Sequence, residues 1–409
     1  MTEPPNELRP ISCAYFLLPA FACPGEMRSM DGRSMDEKEA SSMLIHANAA
    51  SPGPSRTRIA AAYLCDSNYH DITLYSLASF ARSHSRPLDF HFFQVGYRKD
   101  VPARFKDFLA SRNHTIHVID APFARPAFEI RERPGKHRHI TETALLKERA
   151  IGELSEAYDY VLYLDGDMLA FGDVHCEQVA GFNEIAAACL DLSIGTGIDD
   201  PLIFDRCNVY GLSPRYFNSG LMLINSRKWR ETEAERRFSE NLEQHLDHCP
   251  YMSACPTHDQ CVFNMTFDSD TLLLPISLNV QKCALHTHAW RTATVRHYTG
   301  PRKFLPVRAR TCDPREHALL RAISRETGLP GPGWVYDHGI SYLVNKVRRR
   351  KEIAVYEHAL AQQRIADVGT LEFDGGTVDS LLGEAHRAHR GSGRIPALDG
   401  SLKKVLRKD

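Results

Sequence analysis

One pattern constrains this chain more than any other. Apolar runs of β-formers end abruptly in polar residues, and a stretch with helical spacing follows each. IAAAYLC runs straight into Asp66-Ser67-Asn68-Tyr69, and YVLYL runs into Asp165-Gly166-Asp167. Strands that are apolar on both faces belong in a buried, mainly parallel sheet whose faces are covered by helices. ITLYSLASFARSH and LLKERAIGELSEAYD carry apolar residues at helical spacing, while LDFHFFQVG and HTIHVID read as two further strands. The alternation predicts an α/β fold with a mainly parallel central sheet flanked by helices. Further along, EIAAACLDL and YFNSGLMLINSRKW are strand-like, a Glu- and Arg-rich helix is expected over 230–246, and THDQCVFNMTF reads as a loop entering a helix.

Residues 1–55 are rich in Pro, Ser, Gly and Met without periodicity and are expected to be disordered. The folded pattern spans 56–310. Residues 311–409 read as a mostly helical C-terminal extension, with a flexible break at GSGR near 391. Thirteen Lys or Arg face nine Asp or Glu over 341–409, concentrated in NKVRRRK (345–351) and LKKVLRK (402–408). Such basic, partly amphipathic segments suit either a solvated helix face or an anionic membrane surface.

Fifty Lys plus Arg nearly cancel fifty-one Asp plus Glu, so no bulk charge draws the chain to nucleic acid. Eleven cysteines, an odd number without a CxxC pair, fit reduced thiols in a cytoplasmic protein. Cys249, Cys255, His258 and Cys261 are close in sequence, but their spacing is not that of paired zinc knuckles, and ordinary half-buried cysteines are expected. No apolar run reaches the roughly 18 residues of a membrane span. ISCAYFLLPAFACPG follows a leader with two Glu and one Arg, the wrong sign for an export signal.

Asp165 and Asp167 sit two residues apart where a buried strand ends, so both can face one point, and Gly166 leaves clearance between them. Two hard oxygen donors at that spacing suit Mn²⁺ or Mg²⁺, whose shell phosphate oxygens often complete. A solvated acidic turn is the competing reading. A phosphatase using the first Asp as nucleophile is a third, but that pattern needs a downstream lysine before its acidic pair. Asp199-Asp200 comes too early, because no lysine occurs between Asp167 and Lys228. HYTGPRK (297–303) favours the metal reading: His297 offers a nitrogen ligand, Gly300 lets a backbone N–H approach a phosphate, and Lys303 supplies a point charge.

YVLYLDGDM, YFNSGLMLINSRKW, HDQCVFN and HYTGPRK, in this order, resemble the signature segments of glycosyltransferase family 8. That family includes glycogenin and bacterial lipopolysaccharide galactosyl- and glucosyltransferases. The resemblance covers about 58–305. It implies a GT-A nucleotide-diphospho-sugar transferase fold as the catalytic domain over 56–310, a UDP-hexose donor (galactose or glucose), Mn²⁺ with Mg²⁺ as the alternative, and retention of anomeric configuration. It also implies a saccharide or lipid-linked glycan acceptor, in keeping with a cytoplasmic protein at the inner face of a membrane. A catalytically silent nucleotide-sugar-binding protein on the same fold is the alternative.

By position, Asp165, Asp167 and His297 match metal ligands of the family. Asp66 matches a uracil contact, Asn68 a nucleoside contact, and Tyr69 an aromatic stacked on the base. Gly300 and Lys303 match diphosphate contacts. Asn218, Ser219, Asp259 and Gln260 match residues that grip donor hydroxyls, with Gln260 near the anomeric carbon. Asp191 matches an acid facing the acceptor. His139 and Lys147 match a segment lidding the donor, with Arg149 competing for the second place after a one-residue insertion. Two departures concern the sugar pocket: Cys261 stands where the family often has Asp, and Phe304-Leu305 where it often has Pro-Trp. An amide oxygen is a poor nucleophile, so Gln260 favours attack from the leaving-group face over a covalent intermediate.

Overall fold

The computed structural model describes residues 57–121, 142–192, 216–248, 258–268, 270–300, 303–304, 314–331 and 340–362. His139, the segments 1–55 and 402–408, and Cys249 and Cys255 lie outside the described residues.

Chain order gives strands β1 (Ile59–Cys65), β2 (Asp89–Val95), β3 (Thr115–Ala121), β4 (Tyr160–Leu164), β5 (Met168–Ala170) and β6 (Ala186–Leu190). β7 (Phe217–Asn225), β8 (Thr271–Leu273), β9 (Val280–Gln281) and β10 (Val295–His297) complete the set. The helices are α1 (His70–Ser83), α2 (Ala103–Ala110), α3 (Lys147–Ser155), α4 (Cys176–Val179), α5 (Ser226–Glu231) and α6 (Ala234–His248). They continue with α7 (His258–Phe267), α8 (His288–Thr292), α9 (Pro314–Thr327), α10 (Ile340–Arg348) and α11 (Arg350–Gln362).

Seven strands form one sheet in the order β3-β2-β1-β4-β7-β6-β8. β7 alone runs against its neighbours β4 and β6, so the sheet is mainly parallel, as the apolar runs predict. Side-chain alternation divides β1 between two cores. Ala61, Tyr63 and Cys65 pack with Leu77 and Phe80 of α1 and Phe105 of α2. Ala60, Ala62 and Leu64 pack on the other face with Ile151 and Leu154 of α3 and Phe263 of α7. Successive alanines on a strand covered on both faces let helices approach closely without opening voids.

Two local outcomes differ from the periodicity. YFNSGLMLINSRKW is not strand throughout. Asn225 ends β7, and its side-chain oxygen accepts the Lys228 N–H at 3.2 Å, capping α5. Helix α9, expected in an extension, packs against the core. The Tyr75 hydroxyl donates to the Pro330 carbonyl at 2.6 Å, and Glu326 pairs with Arg82 and Arg112. The helical reading of 340–362 is met by α10 and α11.

Three consequences of the topology position the site. β1 and β4 are neighbours, but the chain leaves them in opposite directions across the sheet, a switch point where α/β sheets hold ligands beyond the strand ends. β7 runs antiparallel, so its N-terminal Asn218-Ser219-Gly220 meets the carboxyl end of β4; the Asp165 N–H donates to the Gly220 carbonyl at 2.8 Å. In a second sheet, β5-β10-β9, His297 pairs with Met168 on one side and Gln281 on the other.

Candidate functional site

Strand pairing brings three distant segments to one point. The Tyr298 N–H donates to the Asp167 carbonyl at 3.0 Å, fixing the end of β10 beside the acid pair. One ligand atom each from Asp165, Asp167 and His297 then lies within 4.8 Å of the others, the only such histidine, cysteine and carboxylate group among the described residues. His297 Nε2 is 3.1 Å from Asp167 Oδ1 and 3.7 Å from Asp165 Oδ2. Two carboxylates and an imidazole nitrogen converging on one point fit a divalent ion of the Mn²⁺ type.

Two lysines attend these acids, Lys147 buried and Lys303 partly so. Lys303 pairs with Asp167 Oδ2 and donates to the Tyr298 carbonyl at 2.9 Å. Lys147, at the start of α3, lies 2.9 Å from Asp165 Oδ1 and 2.7 Å from Asp259 Oδ2. Burial disfavours the Asp167 carboxylate, but the Lys303 ammonium and His297 outweigh it and hold this carboxyl well below the usual range. Burial likewise works against the Lys147 ammonium, yet Asp165 and Asp259 hold its pKa well above the ordinary lysine value. Lys303 is raised for the same reason, with Asp167 as the countercharge. Of the two candidates on α3, Lys147 faces the acids, while Arg149 is half-exposed and pairs with Glu148 and Glu235.

Beside the acids is an amide network. The Asn218 amide donates to Asp191 Oδ2 at 3.2 Å and to Gln260 Oε1 at 2.9 Å. Gln260 donates to the same Asp191 oxygen at 3.0 Å, and its own oxygen accepts the Ser219 N–H at 3.3 Å. The Ser219 hydroxyl donates to Asp259 Oδ2 at 3.3 Å. Asn218 Oδ1 accepts the Gly220 N–H at 3.1 Å and the Asn279 amide at 2.9 Å, and it lies 3.1 Å from His297 Nδ1. Every polar atom of the Asn218 side chain thus has a partner within the protein.

After β1, Asp66 Oδ1 accepts the N–H groups of Asn68 and Tyr69 at 2.9 and 3.2 Å, closing the turn that starts α1. Tyr69 lies 5.7 Å from Lys303 Nζ, ring centroid to nitrogen, which joins this turn to the acid pair. Gly300 has φ +76° with open space where a side chain would stand, so the backbone there suits glycine. Gly166 lies against helix α1. A Cβ there would come 3.1 Å from Cβ and 3.3 Å from Cγ2 of buried Thr73, and closer still to its hydroxyl. The glycine thus gives clearance to helix α1.

Several residues went unassigned from sequence. Asn279 and Gln281 are fully buried beside His297, and Asn264 clamps α7 to β7 by accepting the Phe217 N–H and donating to the Phe217 carbonyl. Tyr163, below the sheet end, donates to Asp165 Oδ1 at 3.2 Å. Only buried amides in otherwise apolar segments, such as LLLPISLNVQ, could have signalled them. At the departures from the family pattern, Cys261 is buried 3.1 Å from the Tyr216 hydroxyl and Phe304 packs edge-on against Tyr298.

An open, mainly parallel sheet flanked by helices, with acids at the carboxyl ends of its strands, is the GT-A arrangement of glycosyltransferases. The chain belongs to glycosyl transferase family 8, whose profile matches residues 60–304. It is similar to the galactosyltransferase LgtC in complex with donor and acceptor sugar analogs, at 22% identity and TM-score 0.48, over 66% of this chain and 95% of that one. It is similar to the bifunctional glycosyltransferase WbbM at 17% identity and TM-score 0.49, over 68% of this chain and 51% of that one. The glycosyltransferase GlyE of Streptococcus pneumoniae matches at 16% identity and TM-score 0.43, over 71% and 64%. No curated protein matches the chain.

Proposed function

We propose that this glycosyltransferase moves a hexose, galactose or glucose, from a UDP-sugar to a hydroxyl of a saccharide or lipid-linked acceptor with retention of configuration. The observation that carries the proposal is the convergence of Asp165, Asp167 and His297 within 4.8 Å, with Lys303 on the same acid pair. These three residues would hold Mn²⁺ or Mg²⁺, which when bound offsets negative charge on the departing diphosphate. Lys303 and the open backbone at Gly300 face that same charge. Asp66, Asn68 and Tyr69 receive the nucleoside.

In the transfer, the bond between the anomeric carbon and the diphosphate oxygen breaks, a bond to the acceptor oxygen forms, and the acceptor proton passes to the departing phosphate oxygen. Gln260 Oε1 already accepts two N–H groups, and Asp259 is engaged by Lys147 and Ser219. Both are poorly placed as nucleophiles, which favours attack from the leaving-group face. Asn218, Ser219, Asp259 and Gln260 are the groups assigned to orient donor hydroxyls, and Asp191 is assigned to the acceptor side. A panel of UDP-sugars with and without Mn²⁺, reading released UDP, tests the proposal. Turnover of one UDP-hexose, abolished in Asp165→Ala and Asp167→Ala, is expected. Tight metal-dependent UDP binding without turnover of any UDP-hexose would overturn it in favour of a silent binding protein.

We also place the protein in the cytoplasm, peripheral to an anionic membrane. No helix among the described residues is long and apolar enough to cross a bilayer. Leu343, Val344 and Val347 stand exposed on α10 at 58%, 43% and 68%, among the exposed Lys346, Arg348, Arg350 and Lys351. That pairing of an apolar stripe with basic neighbours supports the reading.

A further inference from the structure

We propose that Asn279 is a positioning residue that fixes the ring of His297 so that Nε2, not Nδ1, faces the acid pair. The inference rests on the metal-centre reading above. An imidazole ligand needs its second nitrogen held, because that hydrogen bond sets both the tautomer and the ring plane. His297 Nδ1 lies 3.1 Å from Asn279 Oδ1 and 3.1 Å from Asn218 Oδ1, so an N–H on Nδ1 is shared between two amide oxygens. An amide oxygen can only accept, which leaves Nδ1 as the donor and the Nε2 lone pair for the ion. The Asn279 amide in turn donates to Asn218 Oδ1 at 2.9 Å, which locks the flip state of both asparagines.

The same short segment also indexes the other half of the site. Gln281, two residues on and paired with His297 across β9 and β10, accepts the Leu192 N–H at 2.7 Å and donates to the Leu190 carbonyl at 3.2 Å. Those two bonds bracket Asp191. Asn279 itself is wholly buried, and its N–H donates to the Ile276 carbonyl at 2.9 Å. With both neighbours pinned, the Asn279 side chain has little freedom to follow a drifting ring, so His297 must conform to it.

Isothermal titration of the full-length protein with Mn²⁺ alone tests this in the wild type, Asn279→Leu, Asn279→Asp and Asp167→Ala. Leucine keeps the volume and removes the acceptor; aspartate keeps an oxygen toward Nδ1, turns the donation to Asn218 Oδ1 into an oxygen–oxygen contact and adds a charge. Asn279→Leu should bind Mn²⁺ about 10- to 100-fold more weakly. Asn279→Asp should stay within about threefold, the acceptor having been kept. Excess Mn²⁺ should restore turnover of the leucine variant with an unchanged KM for the sugar donor. Asn279→Ser, whose hydroxyl stops short of Nδ1, carries the leucine expectation should the leucine variant not fold. Wild-type affinity in the leucine or serine variant, or equal weakening by aspartate, overturns the positioning role alone. Equal Mn²⁺ binding by wild type and Asp167→Ala overturns the metal centre and the positioning role together.

Discussion

Replacing Gly220 by alanine should injure the candidate metal centre by pressing directly on His297. A Cβ at Gly220 would lie 2.8 Å from His297 Nδ1 and 3.0 Å from Asn218 Oδ1, and closer still to His297 Cε1. Against an unstrained contact of about 3.5 Å, the shortfall at Nδ1 alone is about 0.7 Å. The strand cannot yield, because Gly220 sits in β7 between β4 and β6 and its carbonyl accepts the Asp165 N–H. The ring must therefore move away from Asn218 and Asn279. Overpacking of this kind costs about 1–3 kcal/mol, which at roughly 2–4 °C per kcal/mol lowers Tm measurably. Displacing a ligand from its supporting hydrogen bonds should also weaken Mn²⁺ by about 10- to 100-fold. Differential scanning calorimetry and Mn²⁺ titration read the two effects separately. A lowered Tm with wild-type Mn²⁺ affinity would show that something other than His297 gives way, and no change in either would refute the packing argument itself.

Three further outcomes are expected from the same geometry. Burial, with the stacked His117, outweighs the opposing Asp89 and leaves His91 at about 4 against a free value of 6.5, so the unfolded chain takes up more protons between those values and stability falls as pH drops through that window. His91→Gln should flatten the Tm–pH profile there by up to about 3 kcal/mol, an unchanged profile counting against the assignment. Burial pushes Glu148 up to about 7, so the folded state keeps its proton longer and stability falls as pH rises from 4.5 through 7; Glu148→Gln should therefore gain stability at pH 8, and a loss there would contradict it. Leu343→Asp with Val347→Asp should reduce sedimentation with phosphatidylserine-containing vesicles while leaving UDP release in solution unchanged, and unaltered sedimentation would exclude α10 as the contact.

Much of this molecule was legible in the sequence, for identifiable reasons. Apolar strand runs specify a buried sheet whatever else the chain does, so β1, β4 and the helices between them follow from IAAAYLC and YVLYL. The convergence of Asp165, Asp167 and His297 was legible because charged side chains are costly to place beside buried strand ends without a purpose. Asn279 was not, since a single amide in LLLPISLNVQ looks the same whether it caps a turn or holds a histidine. The same limit applies to Gly166. Spacing showed that a side chain had to be absent between the acids, but only tertiary packing shows that the excluded neighbour is Thr73 of α1. Lys147 against Arg149 was undecidable for a related reason: helix phase at a loop-to-helix junction shifts with a single inserted residue, and only tertiary packing shows that Lys147 is the one facing Asp165 and Asp259.

The acids and lysines of the site are best understood as one electrostatic unit with two ends. Asp165 contacts both Lys147 and, through His297, the opposite strand; Lys147 then carries that connection to Asp259, and Asn218 carries it from His297 to Asp191 and Gln260. A buried ion pair stabilises a fold only weakly, since desolvation offsets most of its attraction. Such a chain of buried charges is therefore poorly explained by stability. Its value lies in preorganisation: each group is held by its neighbour, so charge developing during transfer meets dipoles and ammonium groups that need not reorient. On that argument, cutting the chain at Asn218 or Lys147 should cost more in turnover than in Tm, the reverse of what a purely structural network would do.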